Sequence, residues 1–283
     1  MSGSTIKTGV SYRPDWPLAL VIGAGGIGMA IARRLGQRHR LLIADLDGAR
    51  VAAAARQLCD EGHDATAHQC DITDAAAVDQ LAEKVRQSGP FRVLVHVAAL
   101  SPGMGQAETI LSVNLKGAFL IERALQPLAE QGAAAIFIAS LAAHIGPFPD
   151  AVLAEVDRAL DDDLPGRLER ASGAPITSGD AYRLSKRGLL RLCRRRAAAW
   201  GRQGARIVSL SPGLIASPMG ALEFEKSPEK HRLLPLTPVP REGTMLEIAD
   251  AVEFLASDRA SFISGIDLLV DGGLAAALDH PEG

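Results

Sequence analysis

The chain alternates short apolar stretches with longer amphipathic ones, and the two rhythms predict different elements. Strands are predicted at 18–22, 41–45, 65–69, 92–96, 134–139, 206–210 and 266–270. The clearest, Leu18-Ala-Leu-Val-Ile22 and Leu41-Leu-Ile-Ala44, are apolar throughout, as strands covered on both faces are. Helices are predicted at 26–37, 48–61, 75–88, 107–131, 181–203 and 245–256. Strand and helix in alternation imply an α/β fold: a doubly wound parallel sheet of about seven strands with helices on both faces, because parallel neighbours need crossover connections. Ligands then bind beyond the carboxyl ends of the strands.

Two stretches interrupt the alternation. Between 147 and 179, Asp150 is placed to cap a helix whose apolar residues Val152, Leu153, Val156, Ala159 and Leu160 recur at three and four, and Pro165-Gly166 is placed to stop it. A short helix or a helical hairpin is expected there. The segment is acidic, with Glu155, Asp157, Asp161, Asp162 and Asp163, while the next predicted helix carries Arg187, Arg191, Arg194, Arg195 and Arg196. Either the two dock through opposite charge or each run is a solvated helix face. Residues 214–240 form a long segment with Met219, Leu222, Phe224, Leu233 and Leu234, which reads as the wall of an apolar substrate pocket or as an oligomer contact. Residues 1–17 read as a polar extension.

Composition narrows the function classes. A chain of 283 residues with 47% hydrophobic content is long enough for one large core, with no linker visible. The net charge of −3 balances the arginine cluster and argues against nucleic acid as a partner. No run approaches the length of a membrane span and no continuous signal core is present, so a cytoplasmic protein is expected. Cys59, Cys70 and Cys193 have no paired spacing, which suits reduced thiols. Cys59, His63, His68 and Cys70 lie close in sequence without a ligand motif, and no metal is expected.

Candidate chemistry follows the carboxyl ends of strands early and late in the chain. The first strand leads into Gly23-Ala-Gly25-Gly26-Ile27-Gly28 and then a helix. In such a turn Gly23 allows the tight bend, Gly25 lets backbone approach a pyrophosphate, and Gly28 lets helix pack on strand, a Rossmann-type arrangement for a dinucleotide. The second strand ends at Asp45, where a carboxylate can accept both ribose hydroxyls of the adenosine half and would repel a 2′-phosphate; neither Leu46 nor the glycine turn supplies a cation to receive one. NAD is therefore the expected cofactor. Farther on, Ala181-Tyr-Arg-Leu-Ser-Lys186 puts Tyr182 and Lys186 four apart on one helix face, and Ser140 follows the fifth strand. A free tyrosine has a pKa near ~10 and is a poor base at neutral pH. A cation roughly 5 Å away, at an effective dielectric of about 20, contributes on the order of 3 kcal/mol toward the phenolate. Tyr12, the only other tyrosine, lies in the polar extension, so Tyr182 is the expected acid/base.

Together these residues resemble the short-chain dehydrogenase/reductase family from about Leu18 to Leu274. Asp71 and Ile72 in Cys70-Asp-Ile-Thr look like the family's adenine-contacting segment. Asn114 in Val113-Asn-Leu-Lys looks like its catalytic-network Asn, which holds a water linking Lys186 to solvent. Ser140 in Ile138-Ala-Ser stands where the family keeps its catalytic Ser, and Ala98 and Ala99 where the loop after the fourth strand meets the cofactor. Ser211-Pro212-Gly213-Leu-Ile215-Ala-Ser217-Pro-Met219 resembles its nicotinamide turn, with Ser217 where a Thr is usual, and Val270-Asp-Gly-Gly273 its C-terminal signature. The resemblance implies an NAD(H)-dependent alcohol dehydrogenase or carbonyl reductase: Tyr182 as acid/base, Ser140 holding the substrate oxygen, Lys186 binding the nicotinamide ribose and lowering the Tyr182 pKa. Its substrate would be a secondary alcohol or ketone, a hydroxysteroid or other alicyclic alcohol before a smaller ketone or sugar derivative, and its assembly a homodimer or homotetramer. The alternative is an NAD-binding regulatory or scaffold protein without turnover.

Three departures from the family pattern stand out. The glycine turn is one residue short and has Ile22 where a hydroxyl usually ties it. His96-Val-Ala-Ala99 replaces the usual Asn-Asn-Ala-Gly, so His96 is expected to replace one bracing hydrogen bond. Ser140 and Tyr182 lie 42 residues apart, much more than usual, implying an insertion from about Pro147 to Gly179. That insertion, with Arg194-Arg-Arg196-Ala-Ala-Ala-Trp200, looks most like the bacterial 3α-hydroxysteroid dehydrogenase/carbonyl reductase branch.

Overall fold

The computed structural model describes residues 15–221 and 228–280. The elements follow in chain order. β1 (Leu18–Ile22), α1 (Gly26–Leu35), β2 (Arg40–Asp45), α2 (Gly48–Asp60), β3 (Ala65–Gln69), α3 (Ala75–Gln87) and β4 (Phe91–His96) make the first half. After it come α4 (Ala107–Leu111), α5 (Gly117–Leu125), β5 (Ala134–Ile138), α6 (Asp150–Val156), α7 (Leu164–Ser172), α8 (Ser178–Gly201) and β6 (Arg206–Pro212). The chain closes with β7 (Ile215–Ala216), α9 (Pro228–Leu233), β8 (Gly243–Thr244), α10 (Met245–Ala256), β9 (Asp267–Val270) and α11 (Leu274–Asp279). Seven strands pair in parallel in the order β3-β2-β1-β4-β5-β6-β9, with β7 and β8 forming a separate pair.

This is the expected doubly wound α/β sheet. β1 and β5 are buried on both faces, as their unbroken apolar runs require, and β4 is buried except at Arg92. Each face carries its own core: Leu20, Leu94 and Phe137 pack with α3, α5 and α8 on one side, and Val21, Val95 and Ile136 with α1, α2 and α10 on the other. The order reverses beside β1, which pairs with β2 on one side and β4 on the other. In a doubly wound sheet such a reversal leaves a crevice above the carboxyl ends of both strands.

Two predicted elements are corrected. The helix expected at 107–131 is divided: α4 ends at Leu111, a π-type turn spans Ser112–Lys116, α5 ends at Leu125, and a 3₁₀ turn carries Pro127. The missing N–H of Pro127 cannot continue the α-helical ladder. In the 147–179 segment Asp150 is the first helical residue and not the cap, which is Pro149, and Pro165-Gly166 opens α7 and does not stop α6. Asp163 caps that second helix by accepting from the Gly166 N–H at 3.2 Å. The segment is thus a helical hairpin. Its Val152, Val156, Leu164 and Leu168 bury against Ile110, Leu111, Leu115 and Leu184 of α4 and α8 and the turn between α4 and α5. Asp157, nearly buried, receives Arg191 at 2.5 Å and Arg195 at 2.7 Å, so opposite charge does dock the hairpin on α8.

Candidate active site

The crevice is lined first by the glycine turn. Gly23 has φ +109, and a Cβ there would stand 2.8 Å from the Ala98 nitrogen, so only glycine lets the turn pass beneath the loop after β4. A Cβ on Gly28 would collide with the Gly23 carbonyl, which is how close α1 lies to its strand. Gly25, in contrast, has nothing within 4 Å of where a Cβ would be, and as N-cap of α1 it offers no side-chain acceptor. The N–H groups of the first helical turn, from Gly26 and Ile27 onward, therefore lack a side-chain cap beside open space, the setting in which phosphate binds. Met245 and Pro218 close over Gly26, its would-be Cβ lying 2.7 Å from the Met245 sulfur and 3.0 Å from Pro218 Cδ. Neither contact was foreseen; both residues come from far along the chain.

Asp45 accepts a hydrogen bond from the Ala24 N–H at 2.8 Å through Oδ2, and one from the Asp47 N–H at 3.0 Å through Oδ1. This carboxylate supplies the tie that Ile22 cannot, and holds itself at the crevice edge while doing so. Arg50, exposed on the first turn of α2, stands 3.9 Å from Asp45 and 3.8 Å from Asp47. It is a cation at the adenosine end that inspection of Leu46 and the glycine turn alone did not find. Asp71 Oδ1 accepts from the Thr73 N–H at 2.9 Å and hydroxyl at 2.7 Å, shaping the turn after β3, while Ile72 packs against Gly117.

On the other side of the switch point, β5 ends at Ile138 and Ser140 opens a 3₁₀ turn, its Oγ accepting from the Ala142 N–H at 3.2 Å. Helix α8 brings Tyr182 and Lys186 opposite. It begins with a capping box: Thr177 Oγ accepts from the Asp180 N–H at 3.1 Å, and Asp180 accepts from the Thr177 N–H at 3.4 Å. Ser140, Tyr182 and Lys186 are brought together. The Ser140 hydroxyl faces the Tyr182 phenol closely enough to favour its charged form, Lys186 Nζ lies 5.8 Å from the centre of the Tyr182 ring, and Nζ donates to the Ile138 carbonyl at 2.9 Å.

The electrostatics of this group correct the expectation drawn from the sequence. Burial pushes the Tyr182 phenol above its ordinary value, the Ser140 hydrogen bond pulling it partly back, and burial pushes Lys186 down to about 7. Both groups share one low-dielectric site, which penalises phenolate and ammonium alike. Lys186 alone does not lower the tyrosine here.

Asn114 sits within the π-type turn and is tied to the loop after β4: its Oδ1 accepts from the Leu100 N–H at 2.7 Å and its Nδ2 donates to the Leu100 carbonyl at 2.8 Å. That leaves one lone pair and one N–H of the amide for a water. Ala98 and Ala99 lie in the braced loop, where the Ala98 N–H donates to the Ile22 carbonyl at 2.9 Å. His96 does not take over a bracing hydrogen bond through Nε2, which is buried without a partner among the described residues; its ring stacks on Phe137 at 5.5 Å, and burial pushes its pKa down to about 3. Pro212 ends β6, and the Gly213 N–H donates to the Val270 carbonyl at 3.0 Å, where a Cβ would meet Asp271 Cα at 2.6 Å. Ile215 is buried in the core, and Ser217 Oγ accepts from the Gly220 N–H at 3.0 Å.

A small apolar cluster closes the site: Leu141, Leu214 and Leu274 are buried together, with Ile145, Leu233 and Leu234 packed on them. Leu233 and Leu234 were expected in this wall, and Met219 is exposed; Leu222 and Phe224 lie outside the described residues, as does Tyr12. Leu274 of α11 was not foreseen. Elsewhere, the Cys59 and Cys70 thiols face the Ala65 and Ala77 carbonyls. No described helix is long and apolar enough to cross a membrane.

Comparison with known proteins bears on the family and the fold. Residues 17–152 match the family model described as short chain dehydrogenase, and residues 170–275 the model described as Enoyl-(Acyl carrier protein) reductase. The chain is 35% identical to the short-chain dehydrogenase/reductase bsc3 of Alternaria brassicicola, over 92% of this chain and 96% of that one. It is 33% identical to the D-threitol dehydrogenase of Mycolicibacterium smegmatis, over 93% and 94%. Among solved structures it resembles gox2181, at 27% identity with a TM-score of 0.76, covering 93% of this chain and 96% of that one.

Proposed function

Because the chain belongs to the short-chain dehydrogenase/reductase family, whose named relatives act on alcohols, we propose that it is an NAD(H)-dependent oxidoreductase of secondary alcohols and ketones. The observation that carries this reading is the Ser140 and Tyr182 hydroxyls facing each other with the Lys186 amine beside them, near an apolar wall and an open glycine turn. The crevice fits a dinucleotide: the α1 N-terminus and Gly25 would take the pyrophosphate, Asp45 the adenosine ribose, Lys186 the second ribose, and the Pro212–Gly213 turn with Ser217 the nicotinamide side. When bound, the cofactor supplies the hydride acceptor or donor and a positive ring charge.

Within that site Ser140 Oγ, which accepts from the Ala142 N–H, donates its own proton to the substrate oxygen and stabilises the charge that builds there. Tyr182 takes the hydroxyl proton in oxidation and returns it in reduction. Lys186, donating to Ile138, keeps its remaining protons for the ribose and for a water held by Asn114. Selection of NAD rests on Asp45, which the turn fixes at the ribose, and Arg50 tempers that preference by offsetting part of its charge. The apolar wall supports a substrate with a hydrophobic ring or chain, a hydroxysteroid or other alicyclic alcohol; the likeness to a D-threitol dehydrogenase makes polyols the competing class.

The experiment is to incubate the protein with NAD or NADP and cyclohexanol, a 3-hydroxysteroid or D-threitol while following reduced-nicotinamide absorbance. NAD should be preferred and an alicyclic alcohol should outperform D-threitol. Tyr182→Phe should cut turnover by at least about 10²-fold, the scale of general acid/base catalysis, with NADH binding kept. Undiminished turnover in that variant would defeat the mechanism, and NADH binding with no alcohol turned over would favour a scaffold.

A further inference from the structure

The 3₁₀ turn that begins at Ser140 ends at His144, and that end is pinned. His144 Nε2 lies 2.9 Å from Asp267 Oδ2 on β9 and 3.3 Å from Ser211 Oγ on β6. The turn between them is tight: the Ala143 N–H donates to the Ser140 carbonyl at 2.9 Å and the His144 N–H to the Leu141 carbonyl at 2.8 Å. Ser211 immediately precedes Pro212. One imidazole therefore joins the Ser140 turn, the start of the Pro212–Gly213 turn and the edge strand whose following residues lead into α11. The Asp267 side chain is 5% exposed, so its carboxylate is held in a nearly dry place, and the imidazole of His144, 27% exposed, is the group that meets its Oδ2. Among the described residues its other oxygen, Oδ1, has no hydrogen-bond partner, and neither does Ser209 Oγ on the neighbouring strand, where Ser209 and Asp267 are register partners. The Cys193 thiol, facing both, is raised by burial first and by the Asp267 charge next. A nearly buried carboxylate with one oxygen unsatisfied costs several kcal/mol unless something holds the other firmly, and the cost keeps the imidazole in place.

We propose that His144 is a positioning residue for Ser140: clamped by Asp267 and Ser211, it fixes the turn that sets Ser140 against Tyr182 and in register with the nicotinamide turn. The proposal rests on the assignment of Ser140 as the residue holding the substrate oxygen. Its mechanical content is simple. A 3₁₀ turn of three residues has few internal bonds, so fixing one end fixes the other. With the clamp released, Ser140 would be free to point its hydroxyl away from Tyr182, costing turnover while leaving the adenosine end untouched.

The test compares His144→Ala, His144→Gln, Asp267→Ala and Ser140→Ala, each in a Tyr12→Phe background so that Tyr182 is the only tyrosine. Turnover is followed with NAD and cyclohexanol, and the ¹³C shift of the labelled Tyr182 ζ-carbon reports its hydrogen bond to Ser140 whether or not that alcohol is the best substrate. In His144→Ala and Asp267→Ala, kcat should fall about tenfold with the KM for NAD within about twofold of the parent, as loss of one positioning contact predicts. Their tyrosine signal should move toward that of Ser140→Ala. His144→Gln, whose Nε2 can donate to Asp267, should restore both the signal and most of kcat. An unchanged signal in His144→Ala, set against a shifted one in Ser140→Ala, would overturn the proposal. A loss that glutamine fails to repair would also overturn it, by showing that the ring's bulk and not its hydrogen bond matters. Ser140→Ala with parental kcat would instead strike the assignment of Ser140 itself, while the tyrosine signal still decides whether His144 positions it.

Discussion

Lys186 shows how a residue can be legible in type and misread in energetics. Its spacing from Tyr182 placed both side chains on one helix face, and α8 holds them so. What the sequence could not show was how many neighbours would cover them. The penalty for charge depends on residues as distant as Ile138 and on the whole fold above α8, and it outweighs the attraction that local spacing promised. A consequence for stability follows. Lys186 has a folded pKa of about 7 against 10.5 for the free side chain, so between those values the unfolded chain binds the extra proton and stability rises with pH. Below about 7 the penalty is present in full; above 10.5 it is gone. Lys186→Met removes it altogether and gives up one hydrogen bond, worth about 1 kcal/mol, at every pH. In urea unfolding without cofactor, the variant's stability relative to wild type should improve by a few kcal/mol between about pH 9.5 and about pH 6. A difference that stays constant with pH would mean that Lys186 titrates normally in the folded protein. Asp45 was legible for a different reason: it follows an apolar run directly, and only its second task, tying the glycine turn through Ala24, needed the structure to be seen.

At the scale of elements, the central strands β1, β2 and β5 were legible because burial on both faces leaves long apolar runs, whereas the largely exposed β3 was legible from its place in the alternation of strand and helix. The 147–179 hairpin was read only in part. Pro and Gly end helices and also begin them, and Pro165-Gly166 begins one here because Asp163 caps it. The π-type turn holding Asn114 was invisible, since an extra residue in one turn leaves no mark on a pattern of threes and fours. The fit of the hairpin on α8 is testable at Gly188. A Cβ there would meet Val156 Cγ1 of α6 at 2.8 Å and collide with Leu115. Both neighbours are buried, so Gly188→Ala should destabilise by about 1–3 kcal/mol through overpacking, and should expose the hairpin to limited proteolysis. Gly201 on the same helix has open space around its would-be Cβ, and Gly201→Ala should be neutral or stabilise by up to about 1 kcal/mol. Equal effects at the two glycines would show that the hairpin is not seated on α8 as described.

For the whole molecule the open question is assembly, and surface chemistry gives a direction. The hairpin already covers part of α8, with Asp157 holding Arg191 and Arg195, while Glu122 of α5 takes Arg196 at 2.7 Å and Trp200 at 2.9 Å. Charges satisfied within the chain have little to gain from a partner. The opposite margin differs. β9 is an edge strand, and around it Phe262 is fully exposed and Phe254, Ile266 and Leu269 are substantially so. An edge that combines unpaired backbone with exposed large apolar side chains is one that proteins either protect or use. Asp267, the one carboxylate on this strand, turns inward to His144 and gives no protection. We propose a homo-oligomer, a dimer in its simplest form, that buries the β9 margin against the same margin of a second copy, since a two-fold axis places like patches together. In light scattering, Ile266→Lys with Leu269→Lys should halve the mass of the wild-type dimer, or reduce a tetramer to smaller units. Replacement of residues 148–178 by a short loop should leave the mass per assembly otherwise unchanged. An assembly that survives the lysines and falls apart without the hairpin would place the interface on α8, and a wild type that is monomeric throughout would leave the β9 margin without a self-partner.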